Sequence, residues 1–246
     1  MFGFGCLLRL KNTFYTINPL LNNYYLEMDF DSDYAYLIYI WIKIAIFVTD
    51  HIYRIKKIIK MRKNFGAKPW SYPQPVFIVA TYDEEGTPNA MNAAWGGIDL
   101  DDQINLCLSA GHKTVKNLLA TKAFTVSMGT VEQLVACDYV GIVSGNKEPD
   151  KFAKAGFHAT KSEFVNAPLI DELPMVVECE LVSYDTETNH LVGRIINVSA
   201  DESVLDEKGK IDPAKLRPIT FDPVHNDYLV IGEKVGNAFK DGVALR

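Results

Sequence analysis

Two pairs of apolar stretches restrict the fold more than anything else in this chain. Residues 76–82 and 87–95 are separated only by Asp83-Glu84-Glu85-Gly86, and residues 175–184 and 190–199 only by 185–189. Strands joined by so short a turn must run antiparallel, because a parallel pair needs a crossover of a dozen or more residues. No strand is followed by a GxGxxG turn opening a helix, so a dinucleotide-binding βαβ sheet is not expected. Many short strands would leave exposed edges unless the sheet closes on itself. The expectation is a mainly β fold, a closed antiparallel barrel with peripheral helices.

The remaining elements follow from periodicity. Residues 103–108 alternate, with Ile104, Leu106 and Leu108 on one face and Asn105 and Cys107 on the other. Residues 112–121 read as a helix burying Val115, Leu118 and Leu119, and 124–128 as the next strand. Thr130-Val131-Glu132-Gln133 has the form of a capping box, which predicts a helix from there to about Asp138. Residues 149–155 form a short helix closed by Gly156. The stretch 175–184 alternates Val177, Cys179 and Leu181 with Glu178 and Glu180. Residues 201–215 read as a polar surface excursion, and 219–221 and 228–231 as short apolar stretches.

Composition excludes several functions. Thirty-one acidic against 25 basic residues give a net charge of −6, against a surface devoted to nucleic acid but leaving room for one local basic pocket. The four cysteines, Cys6, Cys107, Cys137 and Cys179, have no zinc spacing, and Cys107 and Cys179 read as core residues. None of the five histidines pairs with another at ligand spacing, so no metal site is expected. There is no G-x-S-x-G. Asp99, Asp101 and Asp102 crowd a turn without a calcium-loop pattern and read as solvated. No cleavable secretion signal is visible, which makes the cytoplasm the default compartment.

Residues 1–60 are an N-terminal extension of different character, holding seven of the twelve tyrosines and much Phe, Ile, Asn and Lys. Two readings stay open. One takes Met61 as the native start and 1–60 as translated upstream sequence. The other is a weak membrane anchor, residues 34–48 followed by Arg54, Lys56, Lys57, Lys60, Arg62 and Lys63. The apolar run is short of a span and contains Lys43, so the balance is against a membrane. A helix over 38–60 is expected either way.

Chemistry concentrates between residues 89 and 128. The strand ending at Asn92-Ala93-Ala94-Trp95 runs into Gly96-Gly97, where backbone can lie close to a flat or bulky group. Ser109-Ala110-Gly111-His112-Lys113-Thr114 joins a strand to a helix that continues through Asn117. Hydroxyls, an ammonium, an imidazole and free helix amides together suit a phosphate. Tight strand packing for the first stretch and a water-filled cap for the second are the competing readings.

In order along the chain, several pieces resemble the flavin reductase-like FMN-binding split-barrel family, the flavoredoxin group. They are Pro75-Val-x-Ile-Val-Ala-Thr81, Gly86-x-Pro-Asn-Ala-Met-x-x-x-Trp95, the 109–117 region, Phe124-Thr-Val-Ser127, Gly141-x-x-Ser144-Gly145, Asp150-Lys151-Phe152 and Tyr228-x-x-Ile-Gly-Glu-x-Val-Gly236. The resemblance covers about 67–242 and excludes 1–60. It implies an FMN-binding split β-barrel and a homodimer with FMN near the interface. It places the flavin ring against Asn92, Ala93, Ala94 and Trp95, and the phosphate against Ser109, Ala110, His112, Lys113, Thr114 and Asn117. Many members carry arginine where His112-Lys113 stands here, and lysine holds phosphate as a point charge rather than a fork. The implied activity is an FMN-dependent oxidoreductase fed by NADH or NADPH and serving a small-molecule or protein acceptor. The alternative is an FMN-binding electron carrier or flavin-storage protein without its own NAD(P)H site. No catalytic side chain is assigned.

Overall fold

The computed structural model describes residues 6–10, 13–17, 32–58 and 62–246, and divides into two compact units, Met1–Ala67 and Lys68–Arg246. In the first unit β1 (Cys6–Leu10) pairs antiparallel with β2 (Thr13–Ile17), and α1 spans Ser32–Ile58. The helix starts six residues before the expected 38, and Lys60 and Met61 lie outside the described residues. Trp41, Phe47 and Tyr53 on α1 are exposed. Among the described residues no helix is long and apolar enough to cross a membrane.

The second unit runs β3 (Gln74–Pro75), β4 (Phe77–Tyr82), β5 (Pro88–Ala93), β6 (Gly96–Ile98), β7 (Gln103–Cys107), α2 (Lys113–Thr121), β8 (Ala123–Met128), α3 (Leu134–Ile142), α4 (Lys151–Lys154), β9 (Ala159–Lys161), β10 (Pro168–Ile170), β11 (Met175–Tyr184), β12 (His190–Ala200), α5 (Pro213–Leu216), β13 (Ile219–Asp222) and β14 (Asp227–Val230). Both expected hairpins form. In the β4–β5 turn the Asp83 carboxylate accepts hydrogen bonds from the amides of Glu85 and Thr87, 3.1 and 2.8 Å away, replacing backbone partners the turn would otherwise lack.

Seven antiparallel strands make one sheet in the order β5-β4-β8-β11-β12-β7-β6. Its two outermost strands are neighbours in sequence, joined only by Ala94 and Trp95. Laid flat, six strand spacings would separate them by roughly 29 Å. Three Cα–Cα steps reach at most about 11 Å. The sheet therefore has to curl until its edges meet, which is the barrel closure expected from the strand pattern.

The closed sheet has apolar packing on both faces. Val79, Ile104, Leu106, Phe124, Val126, Cys179 and Leu191 fill the inside, and Val115 and Leu118 of α2 close one end. On the opposite face of β4, Ile78 and Ala80 pack with Cys137 and Val140 of α3, Phe152 of α4 and Ile170 of β10. Burial on both faces explains why residues 76–80 are continuously apolar rather than alternating. Gly193 on β12 makes room for the largest inner side chain: a Cβ there would lie 2.3 Å from Phe124 Cζ.

Four local expectations need correction. The helix after Thr130 begins at Leu134 and runs to Ile142, because Thr130 is held in a bridge to Pro218. The Thr130 hydroxyl still accepts from the Gln133 amide at 3.3 Å, so half of the capping box forms one turn early. Leu119 is exposed, and Thr114 and Asn117 take the buried positions of α2 beside Val115 and Leu118. Cys107 is exposed, facing away from Ile104 and Leu106, whereas Cys179 is buried as expected. Glu178 is buried despite its place in an alternating strand. Loop 162–167 covers that face, and Ser162, Asn197 and Ser199 hydroxyl and amide groups all donate to its carboxylate. The excursion 201–215 is anchored by buried Val204, with Leu216 just past it.

Candidate functional site

The positive end of a helix is left open in this fold. α2 starts after His112, whose backbone is extended, and no side chain caps it. Its first turn carries no acidic residue. The amides of Lys113, Thr114 and Val115 point out of that end with the helix dipole behind them. At the other end Lys122 adopts φ 59° and returns its amide to the Leu118 carbonyl at 2.9 Å, closing the helix.

Beside this end lies a trough. Its wider part, about 380 Å³, has Met91–Trp95 of the β5–β6 connection along one wall, with Cys107, Leu108 and Ser109. Asp138, Gly141 and Ile142 of α3 and Phe221 and Tyr228 of β13–β14 form the other wall. A deeper part, about 210 Å³, leads from Asn92 past His112, Lys113 and Thr114 to Val143, Ser144, Gly145 and Lys151. Met91, Asn92, His112, Gly141 and Ile142 line both, so the two parts are continuous.

The wide part is apolar and aromatic with a few fixed polar groups. Asn92 donates to the Cys137 carbonyl at 3.2 Å, and α3 approaches it closely at Gly141, where a Cβ would sit 2.9 Å from Asn92 Cβ. Trp95 is 43% exposed, and its carbonyl accepts from the Cys107 amide at 2.9 Å. The Tyr228 hydroxyl donates to Asp138 at 2.7 Å. Burial, then that hydrogen bond, hold the Tyr228 phenol well above its ordinary range, so it stays protonated.

The deep part is cationic. Lys151 is buried, donating to the carbonyls of Val140 and Val143 at 3.1 and 2.9 Å. It thus serves the open carbonyls at the end of α3 as well as facing the trough. Burial pulls its ammonium down to about 8. Burial, and then the Lys151 charge, hold the His112 imidazole below its usual range. Lys113 is paired with Asp83 at 3.2 Å. Burial alone would push the Asp83 carboxyl up, but the Thr87 amide and Lys113 outweigh it and hold it low.

Of the ten residues singled out from the sequence, eight line this trough: Asn92, Ala93, Ala94, Trp95, Ser109, His112, Lys113 and Thr114. Thr114 is buried and receives a hydrogen bond from Asn89 at 2.7 Å. Ala110 and Asn117 lie outside the lining. The Ala110 amide donates to Asn189 at 3.1 Å, and Asn117 donates to Thr81 at 3.2 Å beneath α2. Lys151, Ser144, Asp138, Phe221 and Tyr228 complete the trough with no role assigned to them from sequence. Ser144, Lys151 and Tyr228 stand in motifs of the family resemblance and Asp138 and Phe221 do not, and a lysine beside Phe152 carries no sequence sign of being buried. Among the described residues no cluster of His, Cys, Asp and Glu could hold a metal ion.

Known proteins agree with this architecture. Residues 70–220 match the flavin reductase like domain, and the chain belongs to that family. Its fold is the split barrel of flavin reductase-like proteins. The chain is similar to the flavoredoxin of Desulfovibrio vulgaris (Miyazaki F), at 38% identity and TM-score 0.71, over 74% of this chain and 100% of that one. It is also similar to a flavoredoxin from Methanosarcina acetivorans, at 27% identity and TM-score 0.67, over 76% and 99%. An uncharacterized protein of Aquifex aeolicus (strain VF5) is 28% identical over 159 residues, 60% of this chain and 79% of that protein.

Proposed function

We propose that this chain is an FMN-dependent oxidoreductase of the flavoredoxin type. It works as a cytoplasmic homodimer, takes electrons from NADH or NADPH and passes them to a small molecule or protein. The observation that carries this is the trough itself, aromatic and apolar at one end, amide- and ammonium-rich at the other. That polarity suits a ligand with a flat ring at one end and a phosphate at the other. Two relatives named as flavoredoxins support it. Bound FMN supplies the hydride and electron chemistry, and the protein supplies orientation and electrostatics. Asn92–Trp95 would hold the ring, with Phe221 and Tyr228 facing them. The free amides of α2, His112, Ser144 and the Lys151 ammonium would hold the phosphate. Tyr228, kept protonated and bonded to Asp138, offers its oxygen as a fixed polar contact in an otherwise apolar wall.

FMN should bind at least about tenfold more tightly than riboflavin, since one charge-assisted hydrogen bond contributes roughly 1.5–3 kcal/mol. Fluorescence titration of the apo-protein tests this, and equal affinities would remove the phosphate from the deep end. Anaerobic mixing with NADH or NADPH separates the oxidoreductase from a carrier or storage protein. Rapid bleaching of bound flavin is expected, and none would leave the carrier.

Lys113 has a smaller expected part than its place in the sequence implies, because Asp83 already draws its charge. Lys113→Ala should weaken FMN only a few-fold, roughly the 0–1 kcal/mol of a part-exposed ion. Asp83→Asn should release Lys113 and tighten FMN by a similar factor. Exposed Lys116→Ala should change nothing. Titrations of all three at one salt concentration decide the order.

A further inference from the structure

We propose that the arm formed by residues 232–246 docks on a second copy of this chain and is the segment that holds the homodimer together. This deepens the homodimer reading above and rests on it. The body of the barrel unit last grips the chain at Ile231, whose amide donates to the Pro218 carbonyl at 3.2 Å. Beyond it, among the described residues, the hydrogen bonds of the arm stay within the arm. The Asp241 carboxylate accepts from the backbone amide and side-chain amide of Asn237, at 2.8 and 3.4 Å. The Lys240 amide reaches Asn237, and the Val243 amide reaches Lys240. A Cβ on Gly236 would come within 2.7 Å of Asp241 Oδ2, so the tip is tightly wound.

The arm has a defined turn but leaves its apolar side chains exposed, Val243 about half and three others fully or nearly so. Val235 is 100% exposed, Phe239 103% and Leu245 94%. Isolated exposed apolar residues need no explanation, but a run of them on one projecting segment marks an interaction surface. The arm's charges decide against a lipid surface. Lys234, Lys240 and Arg246 are nearly balanced by Glu233 and Asp241, which leaves a basic excess of one, too small to hold the arm on anionic headgroups.

A second copy fits for two reasons. The β11–β12 hairpin of the same chain exposes Val182, Ile196 and Val198. In a two-fold pair each copy gives an arm and receives one, so a single isologous interface covers both orphan surfaces. The size also suits. A standard interface uses roughly 20–30 residues a side, which fifteen arm residues together with the exposed part of the β11–β12 hairpin can supply.

The test is sedimentation-equilibrium measurement of the full chain and of Phe239→Asp and Val235→Asp. Both side chains are fully exposed, so neither substitution can disturb the barrel core, and unchanged far-ultraviolet circular dichroism should confirm it. The parent chain should be dimeric at micromolar concentration. Each variant should self-associate about thirtyfold more weakly, as for loss of an interface hot spot. A monomeric parent chain would sink the homodimer reading, and this inference with it. A dimeric parent with equally dimeric variants would leave the homodimer standing and overturn the arm alone. A monomeric parent whose binding to phosphatidylcholine–phosphatidylglycerol vesicles is lost in Phe239→Asp would make the arm a membrane contact instead.

Discussion

A chain carrying Lys151→Met should bind FMN about ten- to a hundredfold more weakly than the parent, the loss expected for one charge-assisted hydrogen bond. Lys151 is buried at the deep end of the trough, and burial holds its ammonium at about 8. The parent should therefore lose FMN affinity as pH rises through that value, being about tenfold weaker one unit above it. Lys151→Met should be weak at every pH. The linkage to stability has the opposite sign. The folded-state pKa lies below the unfolded 10.5, so between about 8 and 10.5 the unfolded chain holds more protons. Lys151 then costs stability at low pH, and that cost is relieved as pH rises through the window. Titration of FMN at about pH 6 and about pH 9, with chemical denaturation alongside, checks both signs. A pH-independent parent would mean the phosphate does not meet Lys151.

Gly193→Ala should destabilise the barrel by about 2–3 kcal/mol, at the upper end of the usual cost of overpacking. The added methyl would lie 2.3 Å from Phe124 Cζ and 2.9 Å from Cε1, inside a core where neither strand can retreat. For a protein of this size that is a fall in Tm of roughly 4–12 °C. Phe124→Leu removes the colliding ring edge but leaves a cavity of its own, about 1–3 kcal/mol. The double variant should be more stable than the sum of the two losses allows, and the excess measures the contact. Thermal melts of the four chains decide it. Additive losses would mean the two positions do not meet.

Antiparallel barrel and hairpins were legible because turn length sets strand direction without reference to anything distant. The eight trough residues were legible for a related reason: they come from two nearby stretches, 89–97 and 109–117, whose types suit a ring and an anion. Glu178 and Cys107 were not. Their exposure depends on what covers a strand face, and loop 162–167 covers one while the trough opens onto the other. The helix start expected at Thr130 shifted to Leu134 for the same reason, since the bridge to Pro218 outweighs a local preference for helix.

The sequence by itself determined the antiparallel topology, the two stretches that line the trough and the family, all of which rest on turns, periodicity and motif order. Only the tertiary structure decided how those stretches are used. The barrel closure through Ala94 and Trp95 puts the end of β5 beside the open end of α2. The packing of α3 and α4 buries Lys151, and the Asp83 turn takes up Lys113, so the strongest cation at the deep end comes from a segment thirty residues beyond the end of the helix. Charge and burial depend on neighbours brought together from distant parts of the chain, and no local pattern of residues records which neighbours those will be.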